Sequence, residues 1–165
     1  MPDAALYELA ENLGAELKQR GLMIATAESC TGGWIAQAIT AVPGSSEWFE
    51  RGYVTYTYIS KREMLGVESD TLGTHGAVSE PTVREMALGA VARSHAQVSV
   101  AVSGTAGPSG GSPGKPVGTV CFAWAIENAV ETETRHFRGD REAVRREAVV
   151  HALTGMLKRL SQQEK

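Results

Sequence analysis

Cysteine is scarce in this chain of 165 residues, which contains only Cys30 and Cys121. Two thiols cannot form the disulfide framework of small secreted domains, and a chain of this length does not need one. They also cannot complete a four-ligand zinc site alone, and the four histidines are scattered, without C-x-x-C or H-x-x-x-H spacing. We therefore expect no metal site and no other cofactor.

Strong net charge and long apolar runs are also absent. The chain has 16 basic and 19 acidic residues, so its formal net charge is −3, and no strong field attracts nucleic acid or anionic lipid. No apolar run is long enough to cross a bilayer, and no signal-peptide pattern follows Met1. We expect a cytoplasmic protein without nucleic-acid or membrane partners.

Glycine is the residue type in excess. Its 18 copies cluster at 32–33, 104–114 and 118 and show no fixed period. This distribution is typical of loops that approach a ligand rather than of fibrous or repeat chains. The hydrophobic content of 42% and charged content of 21% are those of an ordinary globular protein. We expect residues 1–165 to form a single domain.

The spacing of apolar residues predicts alternating helices and strands. Helices are expected at 3–20, about 33–40, 60–65, from 79 and from 140, and strands at 22–26, 51–58, 97–102, 118–126 and about 131–138. Residues 67–78 and 103–117 are expected to be loops. Because the last three strands follow one another without a helix between them, this order predicts an α/β fold, a three-layer α/β/α domain with a mixed sheet.

A polar turn at Ser29 lies between the first strand and the second helix. Ser29 could act as a nucleophile there, because backbone N–H groups around Thr31–Gly33 could stabilise an oxyanion. The alternative is that Ser29 and Thr31 only cap the helix. Cys30 is a rival nucleophile, since a helix start lowers a thiol pKa. A triad that uses His75, which we place in a surface turn, is a further alternative.

Other segments could complete a site with Ser29. Lys61 could serve as a general base if burial lowers its pKa, but a solvated surface lysine is the alternative. The loop 103–117 follows a buried strand, at the strand end where open α/β sheets bind ligands, although a flexible surface loop has the same composition. Tyr56 could cover the sheet or stack on a ligand. Near the last helix, Arg145 could contact a phosphate or be a solvated charge.

Ordered motifs along nearly the whole chain resemble those of the CinA C-terminal domain family. They are Thr26–Gly33, Val42–Ser46, Val54–Tyr56, Leu65–Val67, Gly76–Glu80, Ala106–Gly111, Lys115–Val120 and Gly139–Arg141. The resemblance implies hydrolysis of the carboxamide of nicotinamide mononucleotide to nicotinate mononucleotide and ammonia. It also implies a serine–lysine pair without metal and a place in pyridine-nucleotide salvage.

The same resemblance implies roles for individual residues. Ser29 would be the nucleophile, Lys61 the base and Tyr56 a further residue of the catalytic site. The implied substrate-binding residues are Glu28, Thr31, Gly32, Gly33, Thr105, Ala106, Gly107, Gly110, Gly111 and Arg141.

One short segment departs from the family pattern. That pattern usually reads Tyr-Ser-Asn-x-x-Lys, whereas this chain has Thr57 and Tyr58 before Lys61. The alternative function is therefore a catalytically impaired, nucleotide-binding paralogue with a regulatory or interaction role. Trp48 and Phe49 form an apolar cluster that we expect to be exposed, which favours a homo-oligomer such as a dimer.

Overall fold

A five-stranded sheet runs through the middle of the molecule in a computed structural model that describes residues 3–163. Met1, Pro2, Glu164 and Lys165 of the expected domain lie outside the described residues. The strands are β1 (Ile24–Glu28), β2 (Phe49–Val54), β3 (Val98–Gly104), β4 (Thr119–Ile126) and β5 (Ala129–His136). The helices are α1 (Ala4–Arg20), α2 (Trp34–Thr40), α3 (Tyr58–Leu65), α4 (Ser69–His75), α5 (Glu80–Ala92) and α6 (Arg141–Ser161).

The sheet is mixed, as predicted. Its strand order is β2-β1-β3-β4-β5. Strand β1 is parallel to both β2 and β3, whereas β4 is antiparallel to β3 and β5 antiparallel to β4. The carboxyl ends of β1, β2 and β3 therefore meet at one edge of the sheet, and β4 begins at the same edge.

Helices cover both faces of the sheet, which confirms the predicted three-layer α/β/α fold. Large side chains such as Phe122 and Trp124 of β4 pack on one face with α1, α2 and α6. On the other face, β4 presents Cys121, Ala123 and Ala125 towards α5. These small side chains let α5 approach the sheet closely. Strand β3 is buried on both faces, which explains its near-continuous apolar sequence.

Several predicted boundaries are wrong. Strands β1, β3 and β5 are shifted by one or two residues, so the first two residues of the expected loop 103–117 belong to β3. Residues 67–78 were expected to be a loop, but α4 lies within them, and its apolar pattern is weak because Leu72 is the only buried residue of this helix. The expected strand at 51–58 ends at Val54, and Tyr58 already begins α3. The cause is a capping box in which Thr57 and Ser60 each bond the other's backbone N–H, which overrides the strand propensity of the tyrosines.

The expected exposure of Trp48 is also wrong. Trp48 is 6% exposed and belongs to the core, where its ring packs directly over Gly14 of α1. An oligomer stays a prediction, but Trp48 does not support it. None of the helices within residues 3–163 is long and apolar enough to span a membrane.

Candidate active site

The site predicted around Ser29 lies at the edge where the parallel strands end. Ser29 directly follows β1, and its N–H donates to the Val102 carbonyl at 3.0 Å, which extends the pairing of β1 with β3 by one residue. The Nζ atom of Lys61 in α3 lies 2.9 Å from the Ser29 hydroxyl oxygen. Ser29 is 7% exposed and Lys61 only 1%. The structure thus brings the two residues together, and the interpretation of Lys61 as a solvated surface lysine is wrong.

Lys61 is held so that its amine faces Ser29. The Nζ atom also donates to the Thr55 carbonyl at 2.8 Å, and the Thr55 N–H in turn donates to the Glu28 carbonyl at 2.8 Å. Burial lowers the pKa of Lys61 to about 8. About a tenth of such lysines are neutral at pH 7, and a neutral amine at this distance can accept the serine proton.

Cys30 lies beside Ser29, but the pKa of its thiol is raised where the sequence predicted that it would be lowered. Its thiol is buried, and burial, with a smaller effect of the Glu28 charge, raises its pKa to about 12. The expectation that the helix start lowers this pKa is therefore wrong. A thiol that stays protonated is a poor nucleophile, so the geometry favours Ser29.

Glu28 and Thr31 are both fully buried and hold the turn against α2. The Glu28 carboxylate accepts hydrogen bonds from the Thr31 hydroxyl at 2.6 Å and from the N–H groups of Ile35 and Ala36 at 2.8 and 3.0 Å. Burial raises the pKa of Glu28, and these hydrogen bonds oppose the rise. In the structure, Glu28 and Thr31 shape the Ser29 turn, while a contact of either residue with substrate stays a prediction.

Two glycines complete the turn before α2. Gly32 and Gly33 have φ values of 61° and 104°, in the left-handed region that favours glycine. Gly32 is exposed and Gly33 partly exposed, so both are accessible from solvent at the edge of the sheet.

Arg141, at the start of α6, bonds two of the other predicted site residues. Its guanidinium donates to the Gly107 carbonyl at 3.0 Å and to the Tyr56 hydroxyl oxygen at 2.9 Å. Tyr56 is 57% exposed and lies one residue beyond Thr55, whose carbonyl holds Lys61. The arginine therefore links the end of β2 to the loop between β3 and β4, close in sequence to the groups that hold Lys61.

The remaining predicted residues lie in that loop. Thr105 continues the β3–β4 pairing through two hydrogen bonds, from its N–H to the Thr119 carbonyl and from the Gly118 N–H to its own carbonyl. Ala106 is buried. Gly110 and Gly111 are exposed, and each allows the loop to fold closely on itself. Their contact with a ligand stays a prediction.

The alternatives weighed from sequence have different outcomes. His75 ends α4, and its carbonyl accepts a hydrogen bond from Lys115; the group that bonds Ser29 is Lys61. Tyr58 is 51% exposed, so the buried Ser29–Lys61 pair forms without it. Within residues 3–163, no group of three or more His, Cys, Asp or Glu side chains could hold a metal ion.

Ser103, which was expected within the loop 103–117 and without a role of its own, belongs to β3 and is a further neighbour of the site. It is 1% exposed and pairs with Cys121 across the sheet. Since Glu28 pairs with Val102, Ser103 lies beside Ser29 on the adjacent strand. The period of two in β3 puts Ser103 on the same face as Ala101, towards α5, and this periodicity could have revealed it.

The fold and the site together define an α/β protein with a buried serine–lysine pair at the carboxyl edge of its sheet. The model of the CinA C-terminal domain matches residues 6–160, and the chain belongs to that family.

Among curated relatives, the chain is 54% identical over 154 residues to the nicotinamide-nucleotide amidohydrolase PncC of Escherichia coli K12, covering 93% of each chain. The protein of the same name from Pseudomonas putida is 56% identical over 149 residues, which cover 90% of this chain and 93% of that protein.

Solved structures in the same family have the same fold. The competence damage-inducible protein A of Klebsiella pneumoniae superposes with a TM-score of 0.94 at 41% identity, covering 96% of this chain and 99% of that one. The competence/damage inducible protein CihA of Agrobacterium tumefaciens superposes with a TM-score of 0.91 at 47% identity, covering 98% of each chain.

Proposed function

We propose that the protein hydrolyses the carboxamide of nicotinamide mononucleotide to nicotinate mononucleotide and ammonia. The observation that carries this proposal is the 2.9 Å hydrogen bond between Lys61 Nζ and Ser29 Oγ, both of them buried. The choice of substrate rests on the relatives named nicotinamide-nucleotide amidohydrolase, which match the chain nearly from end to end. A role in pyridine-nucleotide salvage, in the cytoplasm, accords with that substrate.

The chemistry assigned to the pair has two stages. Neutral Lys61 takes the proton of Ser29 as Oγ attacks the carboxamide carbon, and it returns that proton to the nitrogen as the C–N bond breaks and ammonia leaves. A water molecule then gives a proton to Lys61 and attacks the nicotinoyl ester. The C–Oγ bond breaks and Ser29 recovers the proton from Lys61. The product is the carboxylic acid, which gives the second proton of the water to solvent and leaves as a carboxylate.

The phosphate of the substrate, which lies at the far end of the nucleotide from the carboxamide, needs a cationic group at the rim of the site. Arg141 is exposed and is held by Tyr56 and Gly107, so its remaining N–H groups are available to a phosphate. We assign Arg141 to the phosphate. The backbone of Thr105–Gly111 and the turn at Gly32 and Gly33 are assigned to the ribose and to the rim of the site.

Ammonia release from nicotinamide mononucleotide tests the reaction directly. Wild-type protein should release ammonia, and Ser29→Ala should reduce kcat by at least about 10³-fold, since removal of the nucleophile leaves only binding and electrostatic effects. Cys30→Ala is the matched control at the next position and should keep most of the activity.

Equal ammonia release by wild type and Ser29→Ala would refute the proposal. A wild type that binds the nucleotide in calorimetry without turnover would instead establish the nucleotide-binding alternative. In that case Tyr58→Asn distinguishes a decayed enzyme, which regains turnover, from a binding protein, which does not.

A further inference from the structure

Arg145 connects α6 to the turn that carries Ser29. Its Nε atom donates to the Cys30 carbonyl at 3.0 Å, and its Nη2 atom donates to the Thr31 carbonyl at 3.2 Å. Its guanidinium lies 5.7 Å from the ring centroid of Trp34 in α2. One side chain therefore fixes two successive peptide groups of the turn from the sheet face opposite to Lys61.

The N–H groups of Cys30 and Thr31 in this turn make no hydrogen bond with any other of residues 3–163. The Ser29 carbonyl, in contrast, accepts from the Gly32 N–H at 3.0 Å, so all three successive carbonyls from Ser29 to Thr31 are engaged. A turn with occupied carbonyls, two N–H groups without partners and a nearby guanidinium favours an oxygen that gains negative charge.

We propose that Arg145 is a positioning residue for the hydrolysis proposed above, on which this inference rests. By holding the carbonyls of Cys30 and Thr31, it fixes the peptide group that carries the Thr31 N–H and restrains the adjoining one that carries the Cys30 N–H. These two N–H groups, directly after Ser29, are the donors to the oxyanion. Glu28 holds the same turn from the side of α2, through the Thr31 hydroxyl. Arg145 acts on the reaction through the backbone and does not touch the substrate.

The geometry requires an arginine at this position. A guanidinium presents several N–H groups in a rigid plane and can bond two acceptors at once, whereas an ammonium is a single point on a flexible stem. Arg145→Lys keeps the charge but cannot span both carbonyls. The two substitutions, to lysine and to alanine, therefore separate the effect of charge from the effect of position.

Kinetics provide the first test. Arg145→Ala should lower kcat for nicotinamide mononucleotide by about 10²-fold and leave KM within about 3-fold, because a displaced oxyanion donor affects the transition state more than the bound substrate. Arg145→Lys should fall between this variant and wild type. Methylguanidine added to Arg145→Ala should restore part of kcat, an effect that a merely structural role would not produce.

Arg146→Ala is the matched control on the same helix. Arg146 is equally half-buried, but its hydrogen bonds and ion pairs within residues 3–163 are with Asp3 and Glu147 and not with the turn. Its loss should leave kcat unchanged.

Labelling of Ser29 by a fluorophosphonate is independent of the nucleotide substrate. Oγ forms a bond to phosphorus, fluoride leaves, and the serine proton passes to Lys61, so the reaction uses the same turn. Arg145→Ala should be labelled about 10²-fold more slowly than wild type, with Arg146→Ala equal to wild type.

The two assays separate the two proposals. If wild type is labelled rapidly but releases no ammonia, the amidase proposal fails, and the labelling rates still decide the role of Arg145. Equal labelling rates for Arg145→Ala and wild type would overturn the positioning role. If Arg145→Ala is too unstable to assay, wild-type rates for a folded Arg145→Lys would overturn it equally.

Discussion

Lys61 combines two properties that ordinarily exclude each other, because it is almost completely buried and yet can be ionised. Its amine has two acceptors, the Ser29 hydroxyl and the Thr55 carbonyl, and no carboxylate bonds it among the described residues. Without a paired anion, burial destabilises the ammonium and lowers its pKa to about 8. This is the range in which a general base works best near neutral pH.

The rate should therefore depend on the ionisation of Lys61. A base must be neutral to act, so kcat/KM should rise with pH through about 8, the pKa of Lys61, and level off above it. The measurement is kcat/KM for nicotinamide mononucleotide between pH 6 and 10. Lys61→Arg should abolish activity across this range, because a guanidinium stays protonated. A flat profile in the wild type would contradict the role of Lys61 as the base.

For single residues, the sequence predicted which side chains meet at the candidate site better than it predicted how deeply each is buried. Ser29 and Lys61 could be chosen from the order of the family motifs. The burial of Lys61 could not, because it depends on how α3 packs against the sheet. The Cys30 prediction failed for the same reason, since burial outweighs the helix start in setting the pKa of that thiol.

Helix α3 is the element on which the site depends most, since it carries Lys61. It packs against α5 at a point of close approach, where Gly89 lies directly over the carbonyl group of Leu65. A Cβ atom at Gly89 would overlap that carbonyl oxygen, and backbone cannot move aside as a side chain can. The position of α3, and with it the Ser29–Lys61 distance, therefore depends on a glycine in another helix.

Gly89→Ala should disturb both the fold and the reaction. Overpacking at a buried contact costs about 1–3 kcal/mol, and the displacement of α3 should lower kcat by about 10²-fold, the effect of a shift of about 1 Å. Urea unfolding and ammonia release measure the two effects.

Gly73→Ala in α4 is the control, because no atom lies within 4 Å of a Cβ at that position. It should stabilise the protein by about 0.5–1 kcal/mol through helix propensity and leave kcat unchanged. A Gly89→Ala protein with wild-type stability and rate would show that α3 does not depend on this contact.

Elements with strong apolar periodicity were predicted well, and those without it were not. The helices α1, α5 and α6 and the strand β3 have buried faces that their sequences reveal. The short helix α4 buries only Leu72, and the start of α3 is set by the hydrogen bonds of Thr57 and Ser60. Such local polar contacts leave little trace in a hydrophobic pattern.

The site draws on both layers of helices and on the sheet between them. Ser29 follows β1, Lys61 comes from α3 on one face, and Arg141 and Arg145, which we propose as further residues of the site, come from α6 on the other. The order of elements was enough to predict the mixed sheet and its three layers. It could not predict which loops meet at the edge, because the position of β1 between β2 and β3 is a property of the whole fold.

A ligand that contacts both layers should stabilise the molecule as one cooperative unit. Ser29→Ala should turn over nicotinamide mononucleotide at least about 10³-fold more slowly than wild type, so the nucleotide can be held at saturation. At 100 times its Kd, the nucleotide should stabilise the fold by about 2.7 kcal/mol. Urea transitions followed by circular dichroism and by tryptophan fluorescence should coincide and shift together, since Trp48 and Trp124 are core residues. Nicotinamide riboside, which lacks the phosphate assigned to Arg141, should bind more weakly and shift the transitions less at equal concentration. Separate transitions, only one of which responds to the nucleotide, would mean that the ligand contacts one layer alone.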